Sequence, residues 1–230
     1  MNRLILTKSN DPWHNLALEE YLFDTHEEGF LLYLWQNQNT VVIGRNQNAW
    51  KECRLPILEQ DGGRLARRTS GGGAVFHDLG NLNFTFLTTR AGYDLPRQLS
   101  VIISAARELG IDARFTGRND ILAFGKAGDT PADSGAKFSG NAFRFSRTAG
   151  LHHGTLLVRA DMEKLAKYLA PSKDKLTAKG VESVRARVCN LSDFYPTLSI
   201  EEVTEIIEAT ALQVEALIPQ GLNTVCTTGV

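Results

Sequence analysis

Sulfur and net charge are both scarce in this chain, and each shortage excludes a class of function. Its three cysteines, Cys53, Cys189 and Cys226, are odd in number, widely separated and without a Cys-x-x-Cys pair. Neither a disulfide framework nor a zinc cluster is indicated, and a reducing compartment fits. A formal net charge of −1 over 230 residues lacks the broad positive field of a general nucleic-acid binder, although a local basic patch can still hold one small anion. No apolar run approaches membrane-spanning length, and the N-terminus has no basic region followed by an apolar core and a cleavage site. The expectation is a soluble, cytoplasmic protein whose partners are discrete molecules, with no nucleic acid and no membrane. Familiar nucleotide loops are missing too. The glycines at 71–73 are consecutive, not spaced G-x-G-x-x-G, and Gly125-Lys126 is followed by Ala127 where a Walker loop needs Ser or Thr.

What the chain does have is 43% hydrophobic residues, ample for a buried core without staples. Asp11 and Pro12 pair a cap with a first-turn residue, and Trp13, Leu16, Ala17 and Tyr21 then recur at helical spacing. Phe30–Trp35 and Thr40–Ile43 read as strands joined by a polar turn, and residues 48–60 as a helix broken at Pro56. Arg64–Arg68 leads as a strand into the glycines. Leu82, Phe84 and Phe86 alternate with Asn83 and Thr85, the pattern of a strand with one face buried. Leu99, Ile102, Ile103, Ala106 and Leu109 form a helical stripe that ends at Gly110, a left-handed cap. Further strands are predicted over 113–116, 121–124, 137–143 and 154–158, with a long polar loop over 125–135. A helix follows Asp161 and stops at Pro171, and Ser199 with Glu202 caps a terminal helix. Beyond Pro219 the chain reads as irregular. Strands and helices interleave without strict βαβ alternation, which predicts an α+β domain on a mixed or antiparallel sheet.

The chemistry concentrates in Arg67–Asp78, Arg-Arg-Thr-Ser-Gly-Gly-Gly-Ala-Val-Phe-His-Asp. Three successive glycines remove every Cβ from a short stretch, so a ligand can approach the amides closely, and the arginines before them supply permanent positive charge. A tight turn accounts for a glycine run alone. Flanked by a basic pair and an apolar strand containing His77, the run reads as an anion-binding loop. Gly117-Arg118-Asn119-Asp120, at the entry to a strand, offers a carboxylate for a metal-nucleotide or for orienting a lysine, but on its own reads first as an ordinary turn. Lys137 is a single cation between small residues, where a phosphate could lie against it, though most lysines are solvated bystanders. In a strand the adjacent His152 and His153 point to opposite faces, one packed and one toward the site, which argues against a shared metal. His77 reads as a site wall ahead of a core histidine. Cys189, in Val-Cys-Asn, reads as an inert semi-buried cysteine ahead of a nucleophile.

With these segments in order, the chain resembles the lipoate-protein ligase A family. The matching pieces are Asp11–Glu20, Thr40–Arg45, Trp50–Cys53, Arg67–Asp78, Gly117–Asp120, Lys137–Gly140 and His152–Leu157, with a further match over Ala178–Arg185. They cover nearly the whole chain, and their combined order is specific. The resemblance implies a biotin/lipoyl ligase-like α+β fold, a mixed and largely antiparallel sheet flanked by helices, with a catalytic domain over 1–216 and an irregular tail over 217–230. It implies that lipoate and ATP, with Mg2+ on the phosphates, form lipoyl-adenylate and pyrophosphate. The acyl group then passes to a lysine of a lipoyl domain, on a 2-oxoacid dehydrogenase E2 subunit or the glycine-cleavage H protein.

Carried over by position, Arg68 meets nucleotide phosphate, while Gly73, Ala74, Val75 and Phe76 line the adenine and acyl pocket largely through backbone. Lys137 matches the family lysine that touches both lipoate and adenylate, where its charge neutralises the carboxylate-phosphate group as the mixed anhydride forms. Asp120 falls near the adenylate, the magnesium or the incoming acceptor lysine, and Trp35 and Val42 are candidates to shield the lipoyl chain. The sequence departs from the family in a longer, glycine- and aspartate-rich loop over 125–135. It also stops soon after Ala216, without the C-terminal accessory domain usual in bacterial members, which the resemblance ties more to adenylation than to transfer. Besides a complete ligase, the readings left open are a fragment, one subunit of a ligase with a separate accessory subunit, and a transferase fed with preformed lipoyl-adenylate. A Cys189-dependent octanoyl or lipoyl transferase and a non-catalytic lipoate-binding module stand as rivals.

Overall fold

The computed structural model describes residues 2–116, 119–125, 135–170, 188–214 and 223–227. With strands numbered in chain order, the larger of two sheets runs from edge to edge through Asn223–Thr227 (β11), Arg3–Thr7 (β1), Phe30–Trp35 (β2), Asn81–Thr89 (β6), Ala149–Leu157 (β10), Ala136–Phe145 (β9), Asp120–Phe124 (β8) and Asp112–Thr116 (β7). β1 is parallel to both β11 and β2, and every other pairing is antiparallel. The smaller sheet places Thr40–Ile43 (β3) between Arg64–Arg67 (β4), to which it is parallel, and Val75–His77 (β5), to which it is antiparallel. The fold is thus the mixed, largely antiparallel α+β arrangement expected.

Local chemistry sets the helix starts. Asp11 accepts from the amides of Trp13 and His14 at the head of Pro12–Asp24 (α1), Asp94 accepts from Arg97 at Leu95–Glu108 (α4), and Asp161 accepts from Glu163 and Lys164 at Met162–Tyr168 (α5). Ser199 accepts from Glu202 at Ile200–Gln213 (α6), and the broken helix around Pro56 resolves into Ala49–Glu52 (α2) and Leu55–Gln60 (α3).

Both faces of the large sheet are covered. Leu32, Phe84 and Phe86 point toward α4 and α6, where Ile102, Val203 and Ile207 meet them in the main core. On the other face Leu31, Tyr33, Leu87 and Leu151 pack against Leu22 and Phe23 of α1. A third core joins Val41, Ile43 and Phe76 of the small sheet to Leu58 and Tyr168.

Three differences from the sequence reading have physical causes. β1 is too short for periodicity to register, and its parallel partner β11 lies inside the segment 217–230 expected to be irregular. β6 is not half-solvated: Asn83, on the floor of a cleft, and Thr85, bonded to Glu19 of α1, are 1% and 0% exposed. Gly117, Arg118, most of the 125–135 loop and Ala178–Arg185 lie outside the described residues. Among the described residues no helix is long and apolar enough to cross a membrane.

Phe86 is fully buried at the centre of the large sheet, with ring centroids 5.6 Å from Phe30, 5.3 Å from Phe84 and 5.6 Å from His152. Phe86→Ala should lower unfolding free energy by about 3–5 kcal/mol in urea denaturation, against well under 1 kcal/mol at an exposed position.

Candidate active site

Antiparallel register builds the floor of the site. Trp35, Asn83, Thr155, Gly140 and Asp120 are paired in succession across β2, β6, β10, β9 and β8, so all five sit on one face in a single row. The glycine-rich stretch before β5 forms the opposite wall, and between them lies a cleft of about 300 Å³. At one end Lys137 Nζ is 2.6 Å from Asp120 Oδ1, with the two side chains 34% and 44% exposed. The ammonium lies over Gly140, where a Cβ would come 2.9 Å from Nζ, so a side chain there would push the lysine out of this position. Asn141 fixes the neighbouring turn, donating from its backbone and side-chain amides to Asn119 O at 2.8 and 3.0 Å.

The wall is held by its two arginines. Arg68 is 8% exposed and donates from Nη2 to Gly71 O at 2.8 Å and Gly73 O at 2.7 Å, and from Nη1 to Val42 O at 3.2 Å. A carbonyl and the amide on its own peptide point in opposite directions, so these bonds turn the N–H groups of Gly72 and Ala74 away from the guanidinium. Gly72 has φ +94°, and a Cβ on it would meet Arg68 Nη2 at 2.8 Å. Gly44 packs so closely that a Cβ would lie 2.3 Å from Gly72 O. Arg67 braces the outside, donating to the carbonyls of Gly44, Arg45 and Gln47.

Behind the wall runs a buried polar chain. Glu19 Oε1 lies 2.7 Å from His153 Nδ1, and His153 Nε2 lies 2.7 Å from Ser70 Oγ, which accepts from Arg68 Nε at 3.2 Å. Thr85 donates to the same Glu19 oxygen at 2.5 Å and accepts from Trp35 Nε1 at 3.1 Å. Burial by itself would raise the Glu19 pKa, but His153, Thr85 and the Arg68 charge outweigh it and hold the carboxyl below its ordinary value. Burial lowers the Arg68 pKa to about 10, where it stays cationic at neutral pH, with Glu19 opposing the shift.

A family model described as the lipoyl protein ligase A/B catalytic domain matches residues 11–211. The chain belongs to that family. Among solved structures it is similar to a bipartite lipoate protein ligase from Thermoplasma acidophilum, described with its E2 lipoyl domain, at 28% identity and TM-score 0.82 over 100% of this chain and 87% of that one. A lipoate-protein ligase A bound with ATP gives 27% identity and TM-score 0.80 over 100% and 89%. A second T. acidophilum structure, with bound lipoic acid, gives 25% identity and TM-score 0.79 over 100% and 90%.

Against the residues carried over from the ligase family, Arg68, Gly73, Ala74, Val75, Asp120 and Lys137 all line one cleft. Phe76 does not. Its neighbours Val75 and His77 occupy the cleft side of β5, so strand alternation sends the Phe76 ring into the third core, 5.2 Å from Tyr168. Arg68 lines the cleft while most of its donors are engaged by loop carbonyls. Trp35 and Val42 line the same cleft. The two histidines part as their alternation requires: His153 faces the cleft, and His152 is buried in the core, bonded to Asn141 Oδ1 at 2.8 Å. Cys189 donates its backbone N–H to Lys137 O at 2.9 Å but its side chain faces the main core, where burial pushes the thiol up to about 12 and it donates to Ala136 O. A thiol there cannot serve as a nucleophile near neutral pH. Glu19, Ser70, Asn83, Asn141 and Thr155 were missed as site residues. None carried a local signal: Glu19 lies on the buried face of α1 with Asn15, Leu22 and Phe23, whereas Trp13 and Tyr21 of the stripe read from the sequence are 55% and 64% exposed.

Burial drops the pKa of both His77 and His152 to about 3. Each is neutral when folded, whereas the unfolded chain protonates it below about 6.5, so their contribution to stability is complete above that pH and declines as pH falls toward 3. Unfolding free energy should drop by about 2 kcal/mol per histidine between pH 7 and 5. His152→Gln should remove about half of that decline, as read from denaturation midpoints at the two pH values.

Proposed function

We propose that this chain catalyses ATP-dependent formation of lipoyl-adenylate and transfer of the lipoyl group to a lysine of a lipoyl domain. The observation that carries this reading is the convergence of Lys137, Asp120 and the Arg68-held glycine loop on one cleft with an apolar end, in a chain of the ligase family. In the first step a lipoate carboxylate oxygen attacks the α-phosphorus of ATP, the bond to the β-phosphate oxygen breaks, and pyrophosphate leaves. Lys137 lies beside the forming mixed anhydride and offsets its negative charge, while the amides of Gly72 and Ala74 meet phosphate oxygens. In the second step the neutral amine of the acceptor lysine attacks the acyl carbonyl, the C–O bond to phosphate breaks, the nitrogen gives up one proton to solvent, and AMP departs with its charge still held by Lys137.

Asp120 holds the ammonium over Gly140 and is exposed enough to meet the incoming amine. No group of three or more His, Cys, Asp and Glu suited to hold a metal occurs among the described residues. A magnesium ion held mainly by ATP phosphates fits this site through Asp120, and would supply neutralisation of the pyrophosphate leaving group. Lipoyl domains of 2-oxoacid dehydrogenase E2 subunits and the glycine-cleavage H protein are the proposed acceptors. The neighbour described with its E2 lipoyl domain supports the first of these.

A second reading, transfer from preformed lipoyl-adenylate with a separate accessory subunit assisting activation, is supported by the neighbour described as bipartite. The experiment incubates the purified chain and an apo lipoyl domain either with ATP, Mg2+ and lipoate or with lipoyl-adenylate, and follows acyl transfer by intact mass. Transfer from lipoyl-adenylate is expected under either reading, and its absence in a folded sample contradicts both. Lys137→Ala should slow transfer by about 10²–10³-fold. Gly140→Ala, which keeps the charge but displaces it, should slow transfer by up to about 10²-fold with the fold unchanged.

A further inference from the structure

The end of the cleft farthest from Lys137 holds one polar group that the protein leaves unsatisfied. His77 is 3% exposed, lines the cleft, and its ring lies edge-on to Trp35 with centroids 6.0 Å apart. A chain of amides fixes its tautomer, starting at two backbone carbonyls. Ser9 O and Gln36 O can only accept, so the Asn15 atom 2.9 and 2.8 Å from them is Nδ2. Asn37 Oδ1 lies 3.0 Å from the same nitrogen, where an NH2 group in its place would set donor against donor, so Asn37 turns its Nδ2 toward His77 Nδ1 at 3.2 Å. Nδ1 therefore accepts, and the neutral ring carries its proton on Nε2. Nε2 is buried and has no hydrogen-bond partner. Leu16, Trp35 and Val42, which line the cleft with it, supply no side-chain acceptor. An unpaired buried donor is costly, so its persistence in a ligand cleft points to a ligand atom as its partner.

We propose that His77 is a specificity-determining residue whose Nε2–H donates to a ring sulfur at the tail of the acyl substrate, favouring a dithiolane-bearing acid over an all-carbon acid of the same shape. The inference rests on the lipoate reading above and deepens it. The Lys137 ammonium lies over Gly140, three strand spacings along the floor row from Trp35, roughly 14 Å at about 4.8 Å each. An acyl group whose carboxyl end meets Lys137 therefore extends its tail toward Trp35 and His77. Sulfur is a weak but polarisable acceptor that also packs well against aromatic rings. A carbon isostere fills the same space and leaves the donor unpaired, the situation in which a binding site discriminates most strongly.

The test measures binding of lipoate and of 5-cyclopentylpentanoate, in which carbon replaces both sulfurs, to the wild-type chain and to His77→Phe by titration calorimetry. Wild type should prefer lipoate by about tenfold, and His77→Phe should bind the two acids within about twofold of each other. Equal affinities in wild type overturn the proposal, whether or not the variant folds. An undiminished preference in a folded His77→Phe also overturns it. A wild-type chain that binds neither acid and transfers nothing from lipoyl-adenylate would instead sink the lipoate reading, and this inference with it.

Discussion

The carboxylate of Glu19 and the guanidinium of Arg68 are both taken out of water, and the cleft depends on how they compensate each other. They do not touch. His153 and Ser70 stand between them, each 2.7 Å hydrogen bond passing the demand along until Arg68 meets the carbonyls of Gly71 and Gly73. A buried charge of either sign alone would be strongly destabilising, so the helix that supplies Glu19, the strand that supplies His153 and the loop that supplies Ser70 must come together as a unit. The loop is thereby shaped before any ligand arrives. Its carbonyls are drawn toward Arg68, and Gly72 adopts a left-handed φ that a side chain would find both strained and obstructed.

From that constraint follows a gradient along the floor row. The Trp35 end is buried and apolar, tied back to the same chain through Thr85, whereas Lys137 and Asp120 at the other end are partly exposed. A substrate that is greasy at one end and charged at the other fits such a gradient in only one direction. The reacting carbonyl is then left where a second macromolecule can reach it. Preorganisation of this kind lowers the cost of orienting the reacting groups, because the loop and the lysine do not have to be assembled at the moment of reaction.

Much of this was legible in the residues. Asp11-Pro12, Asp161 and Ser199 announced helix starts because capping is local chemistry. The glycine run beside Arg67 and Arg68 announced a loop that lines a cleft, although only Gly72 needs its missing Cβ: a Cβ on Gly71 or Gly73 would meet open space. The opposite faces of His152 and His153 followed from strand geometry alone. What stayed hidden was long-range: Glu19 and Ser70 are 51 positions apart and meet only through a histidine on a third element. The burial of Asn83 and Thr85 could not be read from alternation, because a polar face covered by a helix or a cleft wall has the same pattern as a solvated one. Phe76 shows what a motif leaves open. Its motif places it among ligand-lining neighbours, yet alternation in a three-residue strand turns its ring the other way. β1 and β11 escaped because parallel pairing between the two ends of a chain leaves no local signal.

The most direct measurement is a crystal structure of the chain with a non-hydrolysable sulfamoyl analogue of lipoyl-adenylate. The account predicts the sulfamoyl group between Lys137 Nζ and the amides of Gly72 and Ala74, with the dithiolane beside Trp35 and His77 and the Glu19–His153–Ser70–Arg68 chain unmoved. A ligand seated elsewhere, or one that binds only after Arg68 leaves the glycine carbonyls, would contradict it.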